Sequence, residues 1–311
     1  MDQVDTNGVD SFRSMEEDLV SPLPPMEGLM WTPPSIKDHQ MTKLRTLINA
    51  KYQENLQTYQ EFHRWSCDNY DLFWREIWDF CQVIGSPLQD EVIDKSVPIN
   101  QIPKWFPNVT LNYAENLLRF AENEKVALYY TTERKELIGI GQMTFGDLKE
   151  KVATWSSALR RLGVGKGDRV AGYLPNCPEA IIAMAATVSI GAVWSSTSPD
   201  FGVAGVLDRF RQIEPKAIFS VEAVSYNMKT HDHLGKLREV VQGIGHCLEK
   251  VIIVPFCCNK EESKTIRLEL KEVLIDDFLN EYSDADPKLE FEQVPNTHWG
   301  KNPQFIQAFT F

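Results

Sequence analysis

Two short stretches carry the residue types that anion chemistry uses. The first is GVGKGD (163–168), with three glycines and a lysine. Glycines let backbone amides close on a phosphate, but a phosphate-binding fingerprint follows a strand and opens a helix. This one ends a helical pattern and opens a strand pattern, so it reads as a tight turn with Lys166 and Asp168 in solvent. The second is SSTSPD (195–200), which follows a strand pattern and precedes a helical one. Ligands of open α/β sheets collect outside the carboxyl ends of strands. Four hydroxyls and the next helix N-terminus there can receive an anion, with Ser198 or Asp200 expected as the helix cap.

The remaining chemistry-bearing residues read as structural. His231 and His233 flank Asp232, an i, i+2 spacing that does not share a helix face. No third ligand stands at a metal-like spacing, so a solvated turn before a helix at Leu234 is expected. Asp276-Asp277 in LIDDFL reads as a pair of acids facing water, and Cys257-Cys258 as two thiols at a strand end. No G-x-S-x-G elbow supports an α/β-hydrolase nucleophile. The residues by themselves assign no catalytic group and no metal ligand.

The elements that must position these residues follow from periodicity. Leu44, Leu47, Ile48, Tyr52, Leu56, Tyr59 and Phe62 recur at helical steps and predict one helix face. A second helix is expected after Asp68 or Asn69, with Phe73, Ile77, Phe80 and Ile84 inward and Gly85-Ser86-Pro87 as its stop. Trp105 and Phe106 read as anchors of an extended segment. VALYYTTE and ELIGIGQMTF read as a hairpin. Phe145, Leu148, Val152, Trp155, Leu159 and Leu162 then mark an amphipathic helix that Asp147 opens and Gly163 stops. Strand patterns RVAGYLP, AVWSS, KAIFSV and VIIVPF alternate with helical ones, which predicts a doubly wound, mostly parallel α/β sheet.

Composition narrows the class. With 44 acidic and 32 basic residues the 311-residue chain carries −12, which argues against a nucleic-acid partner. Residues 1–28 hold seven acids and one base and end in the proline-rich SPLPPMEG, and residues 1–30 read as a flexible arm. No run reaches the roughly 20 apolar residues of a membrane span, and no secretory h-region opens the chain. A cytosolic protein with no membrane partner is expected. Its six cysteines are then reduced and mostly buried, and Asn108-Val109-Thr110 is not glycosylated.

The stretch TFGDLKEKVATWSSALRRLGVGKGDRVAGYLPNCPEAIIAMAATVSIGAVWSSTSPDF resembles the first core region of adenylate-forming acyl-CoA synthetases. The correspondence lies at Thr144, Phe145, Leu148, Gly163 to Val170, Pro178-Glu179 and Gly191-Ala192-Val193. WTPPSIKDHQMTKL, LFWREIWDF, KWFPNVTLNYAENLL and GAVWSSTSPDFG are similar to the branch that activates acetoacetate. The resemblance runs from about Trp31 to Pro295. It implies a helical N-terminal region (31–120), after the arm (1–30), and the first part of an AMP-binding domain (121–295). It also implies ATP, CoA and Mg²⁺, with acetoacetate as the acid, in an adenylation followed by thiol transfer that serves lipid metabolism. Ser198, Pro199 and Asp200 correspond to a corner of the CoA pocket. The glycines of that corner are absent here, Tyr226 stands where an arginine would hold a CoA phosphate, and Lys229 is the nearest basic residue.

The family's ATP loop, a Ser/Thr/Gly-rich run, is expected just after FEQVP, where residues 296–311 instead read NTHWGKNPQFIQAFTF. On this reading the chain is a C-terminally truncated form, inactive alone, with apolar faces left open to self-association. Two other readings stand beside it: a non-catalytic splice form acting through a partner, and an unrelated nucleotide-binding α/β domain using the turn at 163–168.

Overall fold

The computed structural model describes residues 35–88, 91–119, 124–133 and 139–295. The acidic arm and the divergent tail at 296–311 lie outside the described residues. The chain divides into two units, 1–68 and 69–311.

In the first unit, α1 (Gln40–Tyr52) and α2 (Tyr59–Asp68) replace the single helix expected from Leu44 to Phe62. The break is built by side chains. Gln53 turns left-handed at φ 57°. The Asn49 amide then brackets Leu56, donating to its carbonyl at 3.1 Å and accepting its N–H at 3.0 Å. Thr58 and Glu61 restart the helix as a reciprocal cap. Thr58 Oγ1 accepts the Glu61 N–H at 3.2 Å, and the Glu61 carboxylate accepts the Thr58 N–H at 2.9 Å. Leu44, Ile48, Phe62 and Trp65 are buried.

The second unit opens with α3 (Tyr70–Phe80), with Asn69 at its N-cap position as expected but without a side-chain cap hydrogen bond. It ends five residues before Gly85. Gln82 is left-handed (φ 51°), and the Arg119 guanidinium takes the carbonyls of Cys81 and Gln82 at 2.7 and 2.9 Å. Ile84 is therefore exposed rather than inward. Trp105 and Phe106 do anchor the following segment. Phe106 packs 4.9 Å from Trp78 beside Val92 and Val109, and Trp105 meets Tyr70 and Trp74 edge-on. After β1 (Thr110–Leu111), Asn112 caps α4 (Tyr113–Leu118).

The hairpin β2 (Val126–Tyr130) and β3 (Gly141–Thr144) forms as expected. Thr144 and Asp147 make a capping box that starts α5 (Phe145–Arg161). Next come β4 (Arg169–Tyr173), α6 (Pro178–Ser189), β5 (Val193–Thr197), α7 (Val203–Ile213) and β6 (Ala217–Val221). The hairpin β7 (Ala223–Tyr226) and β8 (Lys229–Asp232) leads to α8 (Leu234–Ile244) and β9 (Lys250–Val254). Then follow α9 (Lys260–Ser263), β10 (Glu272–Leu274), α10 (Ile275–Tyr282) and β11 (Val294–Pro295).

Five strands form one parallel sheet in the order β10-β9-β6-β4-β5. Alternation along the strands feeds two cores. Val170, Phe219 and Ile252 face α5, α6 and α10, where Trp155 stacks on Phe219 at 5.3 Å and 10°. Ala171, Ile218 and Val251 face α7 and α8, against Val206, Phe210, Leu237 and Val240. Each large apolar side chain buried this way stabilises the fold by roughly 1.5–3 kcal/mol. This is the doubly wound α/β architecture.

The turn at 163–168 joins α5 to β4, with Gly163 and Gly167 at φ 91° and 82°. Its charged residues are not merely solvated. Lys166 Nζ donates to Glu292 Oε1 and the Gln293 carbonyl, both at 2.9 Å. Asp168 accepts the Gly165 N–H at 2.9 Å and pairs with Lys216. The returning segment that Lys166 holds ends in β11, paired antiparallel with β1. All six cysteines are free, but only Cys177 is buried. Cys67 and Cys81 are exposed at helix ends, and the other three are half-buried. Among the described residues no helix is long and apolar enough to cross a membrane.

Candidate functional site

Topology places the site. The chain leaves β4 toward α6 on one face of the sheet, whereas the neighbouring strands β5 and β6 lead to α7 and α8 on the other. Connections that diverge to opposite faces open a crevice at the carboxyl end of the middle strand. A cleft of about 370 Å³ lies there, walled by the segments after β4 and β5, by α6 and by β7. Ser198, Pro199 and Asp200 line it, and so does Tyr226 on β7. The structure therefore brings together two stretches that sequence resemblance had linked. Lys229 is the hairpin partner of Tyr226 but does not line the cleft.

Neither Ser198 nor Asp200 caps the following helix. It begins at Val203 with Gly202 as its N-cap and no side-chain cap. Ser198 and Asp200 instead close a turn before it. Ser198 Oγ donates to Asp200 Oδ2 at 3.1 Å, the Asp200 N–H donates back to Ser198 Oγ at 3.3 Å, and the Phe201 N–H donates to the Ser198 carbonyl at 3.2 Å. Gly202 is extended beyond this turn, at φ −70° and ψ 158°, so the chain reaches helical geometry only past it.

The cleft floor is apolar: Trp194, Met184 and Ile181. Trp194 lies across Gly172 of β4, and a Cβ there would stand 2.6 Å from the indole. Thr197 is buried beside this floor, and its Oγ1 has no hydrogen-bond partner. Asp200 is the one charged residue of the lining among the described residues.

Behind the cleft sits a buried polar layer that sequence reading missed. His233 does not lie in a solvated turn: it is 1% exposed and packs edge-on against Tyr173, 4.4 Å between ring centroids. Leu237 of α8 is buried on the sheet and draws the first turn, His233 included, inward, while His231 stays exposed on β8. Burial, reinforced by the Lys236 ammonium, pushes the His233 imidazole down to about 4. Tyr173 donates its O–H to the Phe201 carbonyl at 2.8 Å, and burial, then Asp200, holds its phenol above the ordinary value. At the end of β6 the buried Glu222 carboxylate accepts three N–H groups, from Phe256, Cys257 and Cys258, at 2.8, 2.7 and 2.9 Å.

A second cleft of about 620 Å³ lies between α5, α10 and the segment after β9. It mixes Lys151, Lys260 and Lys264 with Glu179, Asp276 and Asp277. Asp276 and Asp277 are exposed as expected, and Asp276 pairs with Lys260 at 2.7 Å. Burial, then Glu222, pushes the nearby Cys258 thiol up to about 11, which leaves almost no thiolate near neutral pH. Among the described residues no group of three or more His, Cys, Asp or Glu side chains converges as a metal site.

Comparison with known proteins places this geometry. Residues 59–117 match the acetyl-coenzyme A synthetase N-terminus family, and residues 120–286 match the AMP-binding enzyme family. The chain is 47% identical to an acetoacetyl-CoA synthetase of Danio rerio over 280 residues, and 49% identical to one of Macaca fascicularis over 279. Each alignment covers 89% of this chain and 40% of the relative, so the chain spans about two fifths of the length of these proteins. A malonamoyl-CoA synthetase of Penicillium aethiopicum is 36% identical, over 91% of this chain and 40% of that one. The solved acetoacetyl-CoA synthetase from Streptomyces lividans superposes with a TM-score of 0.71 at 34% identity, covering 84% of this chain and 38% of that one. With more than half its length inside the match, and the doubly wound sheet and strand-end cleft in place, the chain belongs to the AMP-binding enzyme family.

Proposed function

We propose that these residues are the front portion of an acid–CoA ligase that joins acetoacetate to CoA through an acyl-adenylate. The observation that carries this reading is the identity to acetoacetyl-CoA synthetases, 45–49% among the vertebrate relatives, over 87–89% of this chain. In the reaction, the acid's carboxylate attacks the α-phosphorus of ATP and pyrophosphate leaves. The CoA thiolate then attacks the acyl carbon and AMP leaves. The first step converts oxide, a poor leaving group, into a good one. Cytosolic supply of acyl-CoA for lipid metabolism is the corresponding role.

The cleft at the end of β4 is the CoA corner in this reading. The Ser198–Asp200 turn forms its rim, and Trp194 offers a flat apolar floor on which a heteroaromatic ring can stack. The described residues offer no triphosphate cradle in the turn at 163–168. Its Gly165 and Gly167 amides already donate to Asp168 and to the Gly191 carbonyl, and Lys166 is held by Glu292. Activation of a carboxylate needs donors and Mg²⁺ on the phosphates. On this reading the described residues do not form the adenylate unaided.

Two measurements test this. The 311-residue polypeptide is expected to show no acetoacetate-dependent pyrophosphate release from ATP, and turnover overturns the inactivity. Residues 35–295, exchanged into a rat acetoacetyl-CoA synthetase, are expected to support acetoacetyl-CoA formation. A folded chimera that makes none sinks the ligase reading.

A further inference from the structure

The outer wall of the cleft is a hairpin with little support of its own. β7 and β8 pair only with each other among the described strands, and all four residues of β8 are exposed. Two-stranded ribbons of this kind are marginally stable without further contacts. The two residues at the tip, Asn227 and Met228, both adopt left-handed φ, 51° and 60°. Such turns favour Asn-Gly, because a side chain as large as methionine fits that conformation poorly.

The missing support comes from a residue almost a hundred positions upstream. The Glu133 carboxylate accepts the Asn227 N–H at 3.0 Å and the Met228 N–H at 2.9 Å. The Ser225 hydroxyl also donates to it, at 3.3 Å. One anionic group thus receives both amides of the turn and a side chain of β7, and hydrogen bonds to an ionised acceptor are about twice as strong as neutral ones. The Met228 amide, then the Asn227 amide, holds the Glu133 carboxyl below its ordinary range, so the clamp is ionised at neutral pH. Ser225 and Tyr226, the residues beside the clamped tip, line the cleft.

We propose that Glu133 is a positioning residue that locks the β7–β8 hairpin and so fixes Tyr226 as the wall of the cleft, making ligand affinity there depend on a residue that touches no ligand. The lock follows from the hydrogen bonds alone; its effect on CoA rests on the proposed reading of the cleft.

Hydrogen exchange of the 311-residue chain tests the lock. Glu133→Ala is expected to speed exchange of the Asn227 and Met228 amides by about tenfold, the loss of a charge-assisted pair. Adding Met228→Gly leaves those two amides without an acceptor but restores protection of the β7–β8 ladder amides, because glycine takes the left-handed turn unaided. In the active chimera, Glu133→Ala raises KM for CoA about five- to tenfold. KM for ATP and kcat stay within about twofold, and Met228→Gly again rescues. Unchanged exchange overturns the lock, and faster exchange with an unmoved KM for CoA overturns the wall assignment. A chimera inactive before any substitution sinks the ligase reading instead, and exchange still decides the lock.

Discussion

Acid should unfold this protein through one buried imidazole, and the effect is large enough to isolate. His233 titrates at about 4 in the fold, against an ordinary 6.5. The unfolded chain therefore takes up a proton that the native state refuses. The stabilisation from the neutral buried ring is fully present above the unfolded value of 6.5 and drains away as pH falls from 6.5 toward 4. The difference corresponds to roughly 3 kcal/mol in all, of which about 2 kcal/mol is lost by about pH 5. Other groups titrate over the same range, so the comparison is with His233→Gln, which stays neutral. Urea unfolding at about pH 7.5 and about pH 5 should show the wild type losing about 2 kcal/mol more than the variant. Parallel losses in the two proteins refute the reasoning, as does an imidazole NMR titration of the folded chain centred near 6.5.

Substitutions at three further positions probe the other buried polar contacts and one close approach. Glu222→Ala strands the amides of Phe256, Cys257 and Cys258 and should cost about 3 kcal/mol by urea unfolding, while Glu222→Gln, which keeps one acceptor oxygen, should cost less. Asn112 donates to the carbonyls of Val188, Ser189 and Glu292 while it caps α4. Asn112→Ala should therefore lower stability by about 2–3 kcal/mol and speed amide exchange at residues 292–294. Gly172→Ala forces a methyl to 2.6 Å from Trp194, and about 1–3 kcal/mol of overpacking should accompany a shift in tryptophan emission as the cleft floor moves.

Four of the sheet's five strands were legible because they and the helices between them announce themselves locally, whereas β10 was not read as a strand. The 3, 4, 3, 4 spacing from Phe145 to Leu162 defines α5, and Thr144 with Asp147 supplies its cap. The same kind of signal was overlooked at Thr58 and Glu61. A Thr-x-x-Glu cap there stands against the apolar period that runs through Leu56, and the chain follows the cap, with Asn49 bracketing Leu56 across the break. The cleft's position was legible too, as a strand end, but its cap was not: the turn closed by Ser198 and the extended Gly202 put the helix start beyond both expected residues.

What sequence pattern cannot supply is the partner of a polar side chain when that partner is distant along the chain. His233 and His231 are two residues apart and look alike in the sequence, yet the first is sealed against Tyr173 while the second is exposed. Lys166 reads as a solvated turn residue, yet Glu292, 126 positions away, holds it. Glu222 and Glu133 are ordinary acids in the text, and each gathers several amides from a distant loop. Apolar patterning repeats, so its period can be read from neighbours alone. A carboxylate that collects N–H groups leaves no repeat, because its geometry exists only after the sheet has brought the segments together. The residues that shape this cleft's rim and wall belong mostly to the second kind, which is why the fold could be read further than the site.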